Sequence, residues 1–184
     1  MKKFLVSSWE VIEVAIIAFI AVFLIRSFLI QPFLVNGASM EPTFSDGNYL
    51  LIDVLTYRFR TPERGEVVVF RYPNNESVFF IKRIIGLPHE RVVVRDGTVE
   101  VYLQGEPEPH TISEVYLQDS LSTGGEEDIV LQDNQFFVMG DNRAYSFDSR
   151  NWGPVSQKEI VGLVRLRILP IMKAGAFHAP AYSL

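Results

Sequence analysis

The sequence predicts a mainly β domain of antiparallel sheets, preceded by one N-terminal transmembrane helix. Three observations carry this. Residues 11–35 form an apolar run whose only charges are Glu13 and Arg26. From Phe33 onward, short stretches rich in Val, Ile, Phe and Tyr alternate with turn residues, which is the pattern of strands and bends. Pro32, Pro42, Pro62, Pro73, Pro88 and Pro154 fall at the boundaries, where a residue without an N–H does least harm.

The N-terminal element comes first. The uncharged stretch 14–25 is too short for a bilayer, which needs about 20 residues. Extending it to Ile30, with Arg26 snorkelling to an interface, supplies the length, and the anchor is placed at 11–31 behind a short N-terminal segment, 1–10. Lys2 and Lys3 are the only basic residues before the run, so that end is expected in the cytoplasm and the body outside. A cleavable secretory signal is the competing reading. Asn36-Gly37-Ala38 fits a small-x-small cleavage site poorly, and cutting there would leave Ser39 at the new terminus. A buried core helix fits less well, because Phe and Ile surround every face.

The body is placed at 32–172. Strands are expected at 49–54, 66–71, 78–85, 91–94, 98–103, 135–139 and 160–168. Asp96-Gly97 between two of them signals a two-residue hairpin turn, which requires positive φ. Ser156-Gln157-Lys158-Glu159 has capping-box spacing for a short helical turn. Residues 104–128, richer in Glu, Pro, Ser, Thr and Gly, read as an excursion from the sheet with a strand at 111–118. Its Glu126-Glu127-Asp128 reads as a solvated loop, since consecutive carboxylates define no coordination geometry. The tail, 173–184, is expected to be frayed or membrane-associated.

Composition narrows the function. A chain of 184 residues accommodates one substantial domain plus an anchor. Its 17 basic and 22 acidic residues give a formal charge of −5, and no Lys/Arg cluster offers a nucleic-acid surface. The absence of cysteine excludes disulfides, thiolate metal sites and a cysteine nucleophile, and is compatible with an extracytoplasmic location. No phosphate loop, dinucleotide fingerprint or paired-histidine motif occurs, so no cofactor or metal is expected.

Three segments choose residues poorly suited to simple folding. In Val35-Asn36-Gly37-Ala38-Ser39-Met40-Glu41-Pro42-Thr43, Gly37 and Pro42 can pin Ser39 in an exposed bend with its own N–H facing a bound carbonyl. Alone, such a serine is ordinarily just a turn residue, and that reading wins. In Phe79-Phe80-Ile81-Lys82-Arg83-Ile84-Ile85-Gly86-Leu87-Pro88, a lysine sits within an apolar strand. Buried, it would have a lowered pKa and could take a proton from a hydroxyl. The alternative turns Lys82 to solvent on one sheet face and Arg83 at an edge. The third segment runs from Gly140-Asp141-Asn142-Arg143 through Ser146, Asp148 and Arg150 to Gly153. So many polar groups are costly to bury unless they satisfy one another. A structural network around Asp148 and Arg150 accounts for them, and Ser146 could also orient a nearby amine. His89, His110 and His178 lie in a turn, an acidic loop and the tail, so a Ser–His–Asp triad has no evident base.

With these segments in order, the chain resembles bacterial signal peptidase I, the membrane-bound serine proteases with a Ser/Lys dyad. The likeness covers nearly the whole length: the anchor, Gly-x-Ser-Met-x-Pro-Thr, Lys-Arg-Ile-Ile-Gly-Leu-Pro, and Gly-Asp-Asn-Arg…Ser-x-Asp-Ser-Arg…Gly. The resemblance implies a signal-peptidase-like β domain with Ser39 as nucleophile and Lys82 as general base. It implies support from Arg83, Asp141, Ser146, Asp148 and Arg150. Lysine rather than histidine at 82 separates the chain from the endoplasmic-reticulum relatives. Three departures stand out. Gly37 replaces a serine whose hydroxyl assists the oxyanion in some members, leaving more to the Ser39 N–H. Ala144-Tyr145 replace Asp-Asn, and His89-Glu90 replace Gly-Asp.

The implied activity is endopeptidase cleavage of N-terminal signal peptides from exported preproteins, through an acyl-enzyme, at the outer face of a bacterial plasma membrane. The implied partners are signal peptides, the lipid bilayer and, transiently, the secretion translocon. A self-cleaving serine–lysine repressor would need a DNA-binding domain where this chain has its apolar run. A catalytically dead, anchored β module that binds secreted chains would not need Ser39 and Lys82. An organellar processing peptidase would use the same chemistry in another setting.

Overall fold

The computed structural model describes residues 2–28, 30–117 and 123–182. Helix α1 (Lys2–Phe28) leads into β1 (Ile30–Leu34) and β2 (Tyr49–Asp53), then β3 (Val67–Tyr72) and β4 (Asn75–Gly86). A hairpin of β5 (Arg91–Arg95) and β6 (Thr98–Tyr102) precedes β7 (His110–Thr111), β8 (Glu127–Val130) and β9 (Gln135–Met139). A single turn, α2 (Ser149–Trp152), and β10 (Val155–Ser156) lead to β11 (Ile160–Leu169) and β12 (Gly175–Ala176). The body is mainly β, and every strand pairing among the described residues is antiparallel.

The larger sheet runs β1-β2-β11-β3-β4-β9-β10 with β12 beside β11, and the smaller runs β7-β6-β5-β8. Side chains alternate across a strand, and β3 shows why its Val-Val-Val-Phe run is unbroken. Val67 and Val69 pack with Val35, Met40, Phe44, Ile52 and Ile81. Val68 and Phe70 pack on the opposite face with Ile84, Phe136, Val138 and Val155. A third core joins Ile85, Phe137 and Met139 to Val92, Val94, Val99 and Val101 of the small sheet. Met40 and Phe44 thus root the turn that carries Ser39 in the core behind β3 and β4.

Arg95 pairs with Thr98 across the β5–β6 hairpin, and Asp96 and Gly97 both have positive φ, 50° and 82°, as their dipeptide requires. Ser156 and Glu159 form the reciprocal capping box over the short turn 157–159.

Four expectations need correction. Ile30 and Gln31, assigned to the anchor, belong to β1. Pro32 hid this strand, and it is tolerated because β1 is an edge. The acidic cluster is not wholly loop: Glu127 and Asp128 lie on β8, and Arg91 donates from Nε to Asp128 Oδ1 across the strands at 2.6 Å. Of the strand expected at 111–118, only Thr111 is in a strand, β7, and Gln118 lies outside the described residues. The tail is not frayed through its described part. β12 pairs with β11, and Phe177 and Tyr182 pack on separate cores.

Among the described residues, no helix is long and apolar enough to cross a membrane. In α1 the side chains of Trp9, Val11, Ile12, Val14, Ile16, Ile17, Phe19, Ile20, Val22 and Phe23 are exposed.

Candidate active site

The turn 37–43 sits against the middle of β4. Gly37 has φ +93°, a conformation that an L side chain resists, and its N–H donates to Asp46 Oδ1 at 2.7 Å. Met40 is wholly buried and pulls the bend onto the sheet. Ser39, one residue before, is left half-buried at the rim of a cleft of about 280 Å³. Phe33, Leu34, Ala38, Phe80, Tyr145 and Phe147 are among its apolar walls.

Lys82 enters from β4. Its neighbours on the ladder are β3 and β9, so the strand is interior, and the side chain meets the outside only at the cleft it shares with Ser39. It is 3% exposed. Nζ lies 2.7 Å from Ser39 Oγ and donates to the Ile81 carbonyl at 3.0 Å. Burial drives the Lys82 pKa down from 10.5 to about 8, against the opposing pull of Asp148 and Asp141. An amine this close to a hydroxyl and half-neutral near pH 8 can accept its proton. The reading in which Lys82 and Arg83 face solvent is excluded by their burial.

Arg83, on the next residue and the opposite face, makes a bidentate pair with Asp141, Nε–Oδ1 2.8 Å and Nη2–Oδ2 2.6 Å. Both partners are inaccessible, 1% and 0% at the side chain. Burial works against the Arg83 cation, yet the bonds to Asp141 hold its pKa above the ordinary value. Nη1 donates to the Gly65 carbonyl at 2.8 Å, and Thr43 Oγ1 donates to Asp141 Oδ2 at 2.5 Å. Arg83–Asp141 therefore ties β4, the Gly140 loop and the far end of the Ser39 turn together.

The Gly140 loop is a closed network. Arg150 Nε donates to Asp148 Oδ1 at 2.8 Å and Nη2 to Oδ2 at 2.9 Å. Arg150 also donates to the carbonyls of Gly124 and Arg143. Burial alone would raise the Asp148 pKa, but Arg150 and the Gly140 N–H hold it below the usual carboxylate range. Ser146 Oγ is buried without a hydrogen-bond partner, although it sits near enough to Asp148 to favour the carboxylate. The expected bond from Ser146 to an amine is not formed. A side chain on Gly140 would collide with Ser146 Oγ and the Ser39 carbonyl, so the loop and the Ser39 turn approach as closely as glycine allows.

Sequence reasoning missed several residues here. Asn142 donates its N–H to the Ser39 carbonyl at 3.0 Å and its amide to the Ala38 carbonyl at 3.1 Å. Arg143 is buried and bridges the Gly140 carbonyl, Glu114 and Thr123. Only the polar density of the loop hinted at them. Of the departures noted above, Tyr145 does reach the cleft. His89 occupies a positive φ of 69°, which explains the usual glycine there, and Glu90 accepts the Leu87 N–H and pairs with Arg64.

The sequence matches the family described as "Signal peptidase, peptidase S26" over residues 8–169. It is 38% identical over 143 residues to "Signal peptidase I V" of Bacillus subtilis, covering 71% of this chain and 80% of that one. It is 31% identical over 181 residues to "Signal peptidase IB" of Staphylococcus aureus, covering 92% of each. A crystal structure of a signal peptidase I from Enterococcus faecalis aligns with a TM-score of 0.47 at 28% identity, covering 56% of this chain and 97% of that one. The chain is a serine endopeptidase. It belongs to the signal peptidase family, peptidase S26.

Proposed function

We propose that this protein removes signal peptides from exported preproteins, with Ser39 as nucleophile and neutral Lys82 as general base. The observation that carries this is the 2.7 Å approach of Lys82 Nζ to Ser39 Oγ, in a buried setting that depresses the amine to about 8. Lys82 takes the hydroxyl proton as Oγ attacks the scissile carbonyl. The tetrahedral oxyanion is held by the Ser39 N–H. Gly37 has no hydroxyl to offer, and its own N–H is engaged by Asp46. Collapse of the intermediate gives the proton from Lys82 to the leaving amine and releases the mature chain. Water, deprotonated by Lys82, then frees the signal peptide from the ester.

Arg83, Asp141, Asp148 and Arg150 hold this geometry rather than touch substrate. The substrate lies extended along the cleft, with small side chains near the cut entering between Ala38, Phe80 and Phe147. In the same reading the apolar part of α1, residues 11–28, anchors the chain in the plasma membrane with the N-terminus cytoplasmic. The exposed apolar side chains from Trp9 to Phe23 support this, since water would hydrate them at high cost. Ser39 lies nine residues beyond Ile30, which at roughly 3.3 Å per residue tethers it within about 30 Å of the bilayer. Lipid and, transiently, the translocon are then its surroundings.

The test is cleavage of a purified preprotein in detergent by wild type, Ser39→Ala and Lys82→Met, with the cut mapped. One cut after a small residue at the end of the signal peptide, lost in both variants, supports the reading. Unchanged cleavage in either variant removes that residue from its role. No cleavage by folded wild type favours an anchored binding module.

A further inference from the structure

The catalytic reading assigns nothing to the tail after residue 173, yet the tail reaches the almost wholly inaccessible Arg83–Asp141 pair. Phe177 donates its N–H to the Arg165 carbonyl at 2.7 Å, directing its ring between Phe44 and Arg83. The Phe44 centroid is 4.8 Å away, and the Arg83 guanidinium lies 5.6 Å over the ring. Tyr116 covers the same guanidinium at 3.9 Å. Farther along, the Tyr182 ring and Pro180 close over Gly65, so tightly that a Cβ there would stand 2.5 Å from Tyr182 Cε2. Gly65 is the residue whose carbonyl receives Arg83 Nη1. The tail therefore seals both the guanidinium and one of its acceptors.

We infer that residues 175–182 are a positioning strap for the active site, with the Phe177 and Tyr182 rings keeping water from the Arg83–Asp141 pair and so fixing the Ser39 turn and the setting of Lys82. The inference rests on the proposed Ser39/Lys82 reading for its kinetic consequences, not for its physical ones. Asp141 holds Thr43, at the end of the Ser39 turn, and follows Gly140, whose backbone abuts Ser39. No described residue of the tail lines the cleft. Loosening the strap should therefore slow turnover without weakening substrate binding. Around Lys82 the charged groups are Asp148 and Asp141, balanced by Arg150 and Arg83. Water at Arg83–Asp141 leaves Asp141 less neutralised and relaxes the burial of Lys82. Both effects favour the ammonium.

The experiment compares wild type, a chain ending at Ala174, Phe177→Ala, Tyr182→Ala and Tyr182→Phe. Two readouts are taken: steady-state cleavage of a preprotein, and the Lys82 titration by NMR with selectively labelled lysine, assigned through Lys82→Met. Truncation and the two alanine variants should lower kcat about tenfold or more, with KM changed less than about twofold. The Lys82 midpoint should rise by roughly half a unit to one unit, and Tyr182→Phe, which keeps the ring, should match wild type. Should an alanine variant lose its cooperative melting transition, Phe177→Leu replaces it and must still lower kcat. A folded, truncated chain with wild-type kcat and Lys82 midpoint overturns the strap, as does failure of Tyr182→Phe to restore the site. A wild type that does not cleave preprotein indicts the proposed function instead, and the NMR comparison still decides the strap.

Discussion

Asn142 grips the Ser39 turn twice, through its N–H on the Ser39 carbonyl at 3.0 Å and its amide on the Ala38 carbonyl at 3.1 Å. The second bond spans 104 residues of sequence, and it ties the bend to the loop that follows β9. Asn142→Ala removes only the amide bond. At about 1 kcal/mol for such a bond, kcat/KM should fall roughly five- to tenfold with little change in melting temperature. Steady-state cleavage beside a thermal melt checks this.

Lys82 exchanges stability for chemistry. Its folded pKa, about 8, lies below the ordinary 10.5, so between those values the unfolded chain binds a proton that the folded chain does not. Stability contributed by this group therefore rises with pH from about 8 to 10.5 and is lowest below 8. Lys82→Met removes that penalty, roughly 3 kcal/mol at most. The variant should be inactive yet melt higher at neutral pH, with the gain shrinking as pH approaches 10. Melts across this range decide it, and an inactive variant less stable than wild type at every pH would contradict the burial argument.

Breaking the Arg83–Asp141 pair strands a charge in a site closed to water. Asp141→Asn or Arg83→Leu should cost about 3–5 kcal/mol. Arg83→Lys should fail nearly as badly, because one ammonium cannot reproduce the fork onto Asp141 and the Gly65 carbonyl. Urea denaturation of the three variants tests the ranking.

Gly140→Ala separates geometry from stability. The added methyl meets Ser146 and the Ser39 carbonyl, so the turn must shift, and a displacement approaching 1 Å costs on the order of a hundredfold in rate. Activity should drop by about that factor while the melt moves far less. An equal loss from Ser146→Ala would place the effect in the Ser146 hydroxyl rather than in crowding.

Much of the sheet was legible because β-branched and aromatic runs end at turn residues. The span 135–139 coincides with β9, and Asp96-Gly97 declared its hairpin. What stayed hidden had a local signal pointing elsewhere: β1 continues an apolar run and contains Pro32, and β8 carries acidic residues that read as loop. The tail, 173–184, read as frayed or membrane-associated, whereas the order of its described part comes from Phe177 and Tyr182 meeting distant partners. Within the site, Ser39 and Lys82 could be picked out by motif and resemblance, but the sequence separation of 43 carries no periodicity that brings them together. Asn142, Arg143 and Glu114 act through long-range bonds to carbonyls and charges, which leave no pattern in the sequence.

The most direct test of the central claim is the rate of covalent acylation by a serine-reactive probe, followed from about pH 6 to pH 10 with the adduct located by mass spectrometry. The account predicts a single adduct on Ser39, forming at a rate that rises through a midpoint near 8 and collapses in Lys82→Met. An adduct elsewhere would contradict it. So would a rate on Ser39 that ignores Lys82 or climbs only toward the range of an ordinary lysine.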